Sequence, residues 1–202
     1  MEQRSDAWFA ARAGRATASN FRKVLAKIKT GEAADRRNYR AQLVVERLTG
    51  KADDGFENAA MRWGTEQEPF AKIAYMAATG NIVEEIGFIE HTELMAGCSP
   101  DGLIGTDGGI EIKCPTKATH LDSLKAQNIP PEHIPQVQGC MWITGRKWWD
   151  FVSYHPDFPE PLQLLIVRVP RDEQYIANLE LEVRDFLKSV DDDMEAVRKL
   201  AA

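Results

Sequence analysis

Residues 97–115 read Gly-Cys-Ser-Pro-Asp-Gly-Leu-Ile-Gly-Thr-Asp-Gly-Gly-Ile-Glu-Ile-Lys-Cys-Pro, a run in which turn-forming residues separate short apolar segments. Ser99-Pro100-Asp101-Gly102 predicts one turn, and Gly108-Gly109 predicts a second, tighter turn that returns the chain beside itself. The apolar alternation after the glycines is typical of a strand. The stretch therefore predicts a β-hairpin that can bring Asp101 next to Glu111.

The residues on this hairpin indicate a particular chemistry. Side chains of a strand alternate between its faces, so Glu111 and Lys113 share one face and the apolar residues around them share the other. Two carboxylates such as Asp101 and Glu111 repel each other unless a cation lies between them, and oxygen ligands suit Mg²⁺ or Mn²⁺ rather than zinc. Lys113 can orient or deprotonate a water, or neutralise charge on a phosphoryl group. The hairpin therefore favours metal-dependent phosphodiester hydrolysis.

The alternative interpretation is that Glu111 and Lys113 are an ordinary solvated pair on a strand, which is the usual fate of an isolated Glu-x-Lys sequence. Here Asp101, preceded by Pro100, lies ten residues before Glu111, and apolar residues flank that glutamate on both sides. This combination is much rarer by chance than the tripeptide alone. It favours the catalytic interpretation.

Length and composition indicate one domain. With 202 residues, of which 44% are hydrophobic, the chain can build a sizeable core, and we expect a single domain over residues 1–202. No apolar run resembles a signal peptide or is long enough to span a bilayer, so we expect a cytoplasmic protein without a membrane partner. The three cysteines, Cys98, Cys114 and Cys140, lack metal-binding spacing and are expected to be small buried residues.

The charges are distributed unevenly along the chain. The net charge is −6, yet residues 1–51 contain twelve Lys and Arg against five Asp and Glu, and residues 157–202 contain six against eleven. A basic N-terminal quarter is where phosphate contacts would be sought. The alternative is that this basic excess is balanced by acidic residues elsewhere in the fold.

Periodicity and turn signals divide the chain into alternating helices and strands. Gly14 ends the first helix and Ser19 is expected to cap the second, whose N-terminus, near Arg12 or Arg15, could hold a phosphate or be a plain helix start. Residues 51–56 read as a polar loop. We expect helices over residues 5–12, 20–29, 34–48, 57–79, 119–126, 131–144 and 172–200, and strands over residues 82–91, 94–98, 103–104, 110–114, 148–154 and 162–169.

The pattern over residues 57–79 contains a possible interruption. Gly64 weakens the helix, and Pro69 would be tolerated in the first turn of a new helix that starts at residues 66–69. The apolar residues expected to face the core are Trp63, Phe70, Ile73, Ala74 and Ala77. Together the elements predict an α/β fold with a central mixed β-sheet flanked by helices.

The motifs resemble a known family. Ser99-Pro100-Asp101-Gly102, followed by Glu111-Ile112-Lys113-Cys114-Pro115, resembles the PD-(D/E)xK nuclease superfamily, and specifically its phage lambda exonuclease-like, YqaJ-type recombination nucleases. Further stretches are similar to this family along most of the chain. They include Trp8 to Ser19, Trp63-Gly64 with Glu68, Gln136-Val137-Gln138 with Met141-Trp142, and Arg171-Asp172-Glu173.

The resemblance implies a restriction-endonuclease-like core with two divalent ions per site. Asp101, Glu111 and Glu68 would supply carboxylate ligands and Ile112 a backbone carbonyl. The ions would be Mg²⁺, with Mn²⁺ able to replace them. Lys113 would orient or activate the attacking water.

Further roles follow from the same resemblance. Gln138 would help to hold the site and the scissile strand, and Arg12, Ser19 and Ser99 would bind the 5′-terminal phosphate.

The resemblance also implies an activity and an assembly. Family members are 5′→3′ exonucleases on double-stranded DNA ends that form ring-shaped trimers and work beside a single-strand annealing protein. We therefore expect a homotrimer that digests one strand and leaves 3′ single-stranded overhangs for phage-type recombination, in the cytoplasm of a bacterial host or encoded by a prophage. Residues 133–135 and the loop at residues 29–37 depart from the family pattern, which leaves the residues that grip and separate the DNA strands unassigned.

Two other interpretations remain open at this stage. One is a site-specific endonuclease or a RecB- or Cas4-like nuclease of the same fold, although three cysteines do not supply the four-cysteine cluster that is usual in Cas4. The other is a DNA-end-binding ring protein without catalysis. A protein that only binds DNA gains nothing from clustering Asp101 with Glu111, because these carboxylates repel each other.

Overall fold

Our computed structural model describes residues 2–52 and 58–200. In this part of the chain the helices are α1 (Asp6–Arg12), α2 (Phe21–Val24), α3 (Ala34–Thr49), α4 (Ala59–Thr79), α5 (Lys117–Ala126), α6 (Ile134–Thr144) and α7 (Glu173–Leu200). The strands are β1 (Ala16–Thr17), β2 (Ile89–Glu90), β3 (Ala96–Cys98), β4 (Gly102–Ile104), β5 (Gly108–Lys113), β6 (Trp148–Tyr154) and β7 (Leu164–Pro170). Most elements lie within a few residues of their predicted positions. The polar loop predicted at residues 51–56 falls largely outside the described residues.

The main sheet has the strand order β4-β5-β6-β7 and is mixed, as predicted. β5 runs parallel to β6, with Glu111 opposite Phe151, whereas the outer pairs are antiparallel. The parallel pair requires a crossover connection, and α5 and α6 provide it. Ala71 and Tyr75 of α4 pack on one face of this sheet in a cluster with the isoleucines of β5. Residues of α6 and α7 build the larger core with Trp149 and Phe151 of β6.

The predicted turn at Gly108-Gly109 is wrong, because both glycines lie inside β5 and pair with β6. The turn of the hairpin lies at residues 105–107, where Gly105 has a φ of +50°. The two glycines make room for aromatic rings: an added Cβ would lie 2.1 Å from Trp148 Cζ2 at Gly108 and 2.3 Å from Trp149 Cη2 at Gly109. Glycine is therefore required here by close packing, not by a turn.

A second, smaller sheet carries β1, β3 and β2, in that order. β1 runs parallel to β3, with Ala16 opposite Ala96, and β2 runs antiparallel to β3. The strand predicted over residues 82–91 is reduced to Ile89–Glu90, together with an isolated bridge between Glu84 and Leu103. This sheet brings the N-terminal segment beside the start of the predicted hairpin.

The predicted interruption of α4 is wrong. The helix runs without a break from Ala59 to Thr79, with Pro69 inside it, and the side chain of Asn58 caps its start by accepting a hydrogen bond from Met61 N at 2.9 Å. The predicted start at Glu57 falls outside the described residues.

The buried face of α4 also differs from the prediction. Phe70 and Ile73 are 58% and 60% exposed, while Ala71 and Tyr75 are buried. Tyr75 Oη donates a hydrogen bond of 2.6 Å to the buried carboxylate of Asp150, which helps to hold this face of the helix against the sheet.

The second helix is shorter than predicted. α2 ends at Val24, whose carbonyl accepts a hydrogen bond from the guanidinium of Arg36 in α3. Ser19 does not cap it: Asn20 precedes α2 without a side-chain cap bond, and the Ser19 hydroxyl lies 3.3 Å from the Thr17 hydroxyl in a 3₁₀ turn. The predicted phosphate-binding helix start is therefore a turn without a capping side chain.

Helices α3 and α7 pack against each other through a row of ion pairs. Arg36, Arg40 and Arg47 of α3 contact acidic residues of α7, with nitrogen to oxygen distances of 2.9 Å to Asp185, 2.7 Å to Asp193 and 2.6 Å to Asp191. Within the described residues, none of the helices combines the length and the apolar character needed to cross a bilayer.

Candidate active site

A cavity of about 1230 Å³ opens beside the edge of β5 that β4 leaves uncovered. β4 pairs with β5 only as far as Ile110, so the edge of β5 from Glu111 onwards is free on that side. The residues that line the cavity come from the N-terminal segment, from α4, α6 and β5, and from the loop between β3 and β4. They include Arg12, Ser19, Glu68, Ser99, Asp101, Glu111, Ile112, Lys113 and Gln136.

Asp101 lies at the open edge of β5. Its Oδ2 accepts a hydrogen bond of 2.6 Å from the backbone N–H of Ile112, which is one of the groups that β4 leaves unpaired. In a strand the N–H and C=O of one residue point to the same edge, so the Ile112 carbonyl lies on this side as well. Burial raises the pKa of Asp101 well above its usual value, and the charges of Glu111 and Glu68 add to the increase.

Glu111 is buried on the face of β5 that it shares with Lys113, as predicted. Its Oε1 lies 2.6 Å from Lys113 Nζ and accepts a hydrogen bond of 2.7 Å from Gln136 Nε2. Its Oε2 is buried and has no hydrogen-bond partner among the described residues. Burial lowers the pKa of Lys113, but the negative charges of Glu111 and Asp101 outweigh that effect and raise it above its usual value. Glu111 thus keeps one oxygen fixed and one oxygen available.

Glu68 reaches the same cavity from α4. Burial raises the pKa of its carboxyl group, the positive charges of Lys72 and Arg4 oppose the increase, and Glu111 adds to it. The three predicted acidic residues therefore share one electrostatic environment, although they belong to different elements of the fold.

The three residues predicted to bind a terminal phosphate all line the cavity. Arg12 Nη1 donates to Ser99 Oγ at 3.0 Å, and Trp8 Nε1 donates to the same hydroxyl at 2.9 Å. The guanidinium of Arg12 lies over the Trp8 ring, 4.1 Å from its centroid. Ser19, which is exposed, lines the same cavity. The structure therefore joins Arg12 to Ser99 and places Ser19 on the lining of the same cavity.

Gln138 is the predicted site residue that the structure does not bring to the cavity. It is buried, its Nε2 donates to the Pro170 carbonyl at 2.9 Å, and its Oε1 accepts from Asp172 N at 3.0 Å. It joins α6 to the start of α7. Gln136 takes the place next to Glu111. Residues two apart on a helix point in widely different directions, and nothing in the Gln-x-Gln sequence shows which one faces β5.

Trp8 is a second residue that the sequence analysis left without a role. The spacing between Trp8 and Arg12 was an available signal, because residues four apart lie on one side of a helix. The indole N–H and the guanidinium consequently converge on one serine.

The donor set fits a divalent cation. Oxygen ligands are available from Glu68, Asp101 and Glu111, and the buried Glu111 Oε2 accepts no hydrogen bond from the part of the chain that the structure describes. Within residues 2–52 and 58–200, no three His, Cys, Asp or Glu side chains are already grouped closely enough to hold an ion. Two of the carboxylates are instead stabilised separately, Glu111 by Lys113 and Asp101 by the Ile112 N–H.

The helices around the mixed sheet and the carboxylates at its open edge define the class, a restriction-endonuclease-like fold with an acidic cavity. Residues 7–147 match the model of the YqaJ-like viral recombinase domain, and the chain belongs to this family. Crystal structures of the alkaline exonuclease LHK-Exo from Laribacter hongkongensis, one of them in complex with dAMP, are 44% identical to this chain. Each match covers 98% of this chain and 98% of the exonuclease chain, with a TM-score of 0.91.

A phage-related exonuclease from Haemophilus somnus 129PT shares the fold at 16% identity, with a TM-score of 0.70 and coverage of 91% of this chain and 96% of that one. No curated protein matches the chain. The family, the restriction-endonuclease-like fold and the exonuclease class, all predicted from the sequence, are confirmed.

Proposed function

We propose that the chain is a Mg²⁺-dependent 5′→3′ exonuclease that digests one strand of linear double-stranded DNA and leaves 3′ single-stranded overhangs. The observation that carries the proposal is Glu111 itself. This buried carboxylate is held through one oxygen by Lys113 and Gln136, and its other oxygen has no partner within residues 2–52 and 58–200. Asp101 lines the same cavity. Family membership and the similarity to alkaline exonucleases support this assignment.

Glu68, Asp101 and Glu111, with the Ile112 carbonyl, would hold two Mg²⁺ ions, and Mn²⁺ could replace them. When bound, the ions supply Lewis-acid stabilisation of the charge that develops on the scissile phosphate. Lys113 is fixed by its contact with Glu111 and orients the attacking water beside the phosphate. Gln136 holds the Glu111 carboxylate in one rotamer, so that its second oxygen keeps its direction during turnover.

The wall formed by Arg12, Ser19 and Ser99 would bind the 5′-terminal phosphate. A guanidinium and two hydroxyl groups supply charge and hydrogen-bond donors to phosphate oxygens. Holding the terminal phosphate at one wall and the carboxylates at another would place the next phosphodiester in register after each cut. This arrangement favours processing from a 5′ end.

The proposal includes an assembly and a partner. A homotrimeric ring that encloses DNA would make processivity a matter of topology, which tolerates an acidic outer surface. The 3′ overhang is the substrate that a single-strand annealing protein requires, and such a protein would work beside this enzyme in the cytoplasm of a bacterial host. Sedimentation should then give three times the mass of the chain.

The decisive experiment uses linear duplex DNA labelled at either the 5′ or the 3′ end, with and without Mg²⁺. We expect the 5′ label to be released first, as mononucleotides, and only in the presence of Mg²⁺. The 3′ label should stay on long single strands. A closed circular duplex of the same sequence is the control and should remain intact. Cutting of the circle would support an endonuclease of the same fold, and binding of ends without cleavage would support a non-catalytic ring.

A further inference from the structure

Gly14 lies between Arg12 and Ser19, two of the residues that form the proposed 5′-phosphate site. This site, formed by Arg12, Ser19 and Ser99, is called the phosphate wall below. Gly14 follows α1, which carries Trp8 and Arg12, and it precedes the segment that carries Ser19. Its φ of +70° is a left-handed conformation that favours glycine. The direction in which Arg12 and Ser19 enter the cavity therefore depends on how the backbone is held at Gly14.

Two neighbouring side chains of α3 hold both backbone groups of Gly14. The N–H of Gly14 donates to Glu46 Oε2 at 2.7 Å in a buried contact, and its carbonyl accepts from Arg47 Nε at 2.8 Å. Glu46 is itself oriented by Gln42, whose Nε2 donates to Oε1 at 2.7 Å. An added Cβ at Gly14 would lie 2.4 Å from Arg47 Cγ, so α3 packs directly on this turn.

The charge of Glu46 also acts on Arg12. Within residues 2–52 and 58–200, Arg12 forms no ion pair, and its guanidinium is held by the Ser99 hydroxyl and the Trp8 ring. Burial lowers the pKa of Arg12, and electrostatic interactions with Tyr39, Glu46 and Cys98 oppose that effect. Tyrosine and cysteine are ordinarily neutral at pH 7, which leaves Glu46 as the charged group of the three.

We propose that Glu46 is a positioning residue of the phosphate wall. It fixes the turn at Gly14 and supplies a buried negative charge that balances Arg12 without contacting it, so the guanidinium stays free for a phosphate. The inference rests on the proposed 5′-phosphate site and adds a residue that never touches the DNA. A carboxylate paired directly with Arg12 would compete with the substrate, whereas a carboxylate one layer behind it does not.

The test compares kcat and KM on two linear duplexes that differ only in a 5′-phosphate or a 5′-hydroxyl end. Glu46→Gln removes the charge and keeps the size and one acceptor oxygen. We expect its KM on the phosphorylated end to rise about tenfold, as for loss of one charged interaction, with KM on the hydroxyl end and kcat unchanged. The preference for phosphorylated ends would then largely disappear.

Asp150→Asn is the matched control, because Asp150 is also a buried carboxylate with several hydrogen bonds but lies away from this wall. It should lower the melting temperature and leave the phosphate preference as in the parent. If Glu46→Gln does not fold, Glu46→Asp keeps the charge but withdraws it from Gly14, and a smaller loss of the same preference is expected.

Arg12→Ala distinguishes a failure of the proposed phosphate site from a failure of the role of Glu46. If the parent shows no preference for a 5′-phosphate, the phosphate site is wrong and the inference falls with it. If the parent shows the preference and Arg12→Ala removes it, while Glu46→Gln retains it in full, the phosphate site stands and the role of Glu46 is overturned.

Discussion

At the scale of single residues, the two carboxylate oxygens of Glu111 have different surroundings. Oε1 is fixed by an ammonium and an amide, and Oε2 is buried without a partner in the described part of the chain. A buried acceptor that is left unsatisfied costs free energy, so its presence indicates a role other than stability. The same reasoning separates this glutamate from Asp150, whose two oxygens are both satisfied by protein donors.

Glu111→Ala and Lys113→Ala should each reduce cleavage of linear duplex DNA by at least about a hundredfold, because each removes a group that orients a ligand or water. DNA binding and folding should be largely retained. Cleavage rates and melting curves of the two variants test this, and digestion at the parent rate by Lys113→Ala would show that its assigned role is wrong.

Gln136 and Gln138 offer a matched pair, because they are two residues apart on one helix. Gln136→Ala should lower activity by about 10–100-fold, as is typical when a group behind a ligand is lost, with little change in melting temperature. Gln138→Ala should instead destabilise the fold by about 1–3 kcal/mol, because it removes the two hydrogen bonds that the buried Gln138 amide forms with the Pro170 carbonyl and the Asp172 N–H. The opposite pattern would restore Gln138 to the site.

His133 predicts a pH dependence of stability. Burial and the charge of Lys113 lower its pKa to about 4, from an ordinary value of 6.5, and its ring stacks on Phe151. Between pH 6.5 and pH 4 the unfolded chain therefore binds more protons at His133 than the folded chain does. The stability that the neutral ring contributes is fully present above pH 6.5 and is lost as the pH falls towards 4. His133→Phe keeps the stacking and should lose less melting temperature than the parent between pH 7 and pH 4.5. Equal losses in the two proteins would contradict the prediction.

At the scale of elements, Gly109 and Gly64 behave oppositely. An alanine at Gly109 would meet the ring of Trp149, whereas at Gly64 in α4 no atom of another described element lies within 4 Å of an added Cβ. Gly109→Ala should therefore cost about 1–3 kcal/mol by overpacking, and Gly64→Ala should stabilise the chain by about 1 kcal/mol through helix propensity. Denaturant midpoints of both variants measure the difference, and a neutral effect at Gly109 would show that β6 can move aside.

The elements also show what local sequence determines. α1 and α3 follow from capping and glycine signals, and Ser5 caps α1 as predicted. The end of α2 and the buried face of α4 do not, because both involve contacts with other elements, Arg36 of α3 and Asp150 of β6 respectively. The glycines of β5 were assigned to a turn because the tryptophans that require them lie forty residues away.

At the scale of the whole molecule, the basic N-terminal quarter and the acidic C-terminal quarter largely neutralise each other. The arginines of α3 form ion pairs with the aspartates of α7. Of the two interpretations of the basic N-terminal quarter, this favours neutralisation within the fold over contacts with phosphates. The site itself was more predictable than this pairing. Its carboxylates and lysine follow from one motif, whereas the ion pairs depend on how two distant helices pack.

Arg12 and Arg40 should differ in whether they contact DNA. Arg40 lies between Asp193 and Glu32, so Arg40→Met should lower stability by about 1 kcal/mol and leave the salt dependence of DNA binding unchanged. Arg12 has no ion-pair partner in the described residues, and Arg12→Ala should reduce the slope of log K against log salt by about one unit, as for one lost phosphate contact. Binding isotherms at several salt concentrations distinguish the two. A reduced slope for Arg40→Met would mean that α3 gives up its contacts with α7 to bind DNA, and the charge balance would then be a switch instead of a fixed part of the fold.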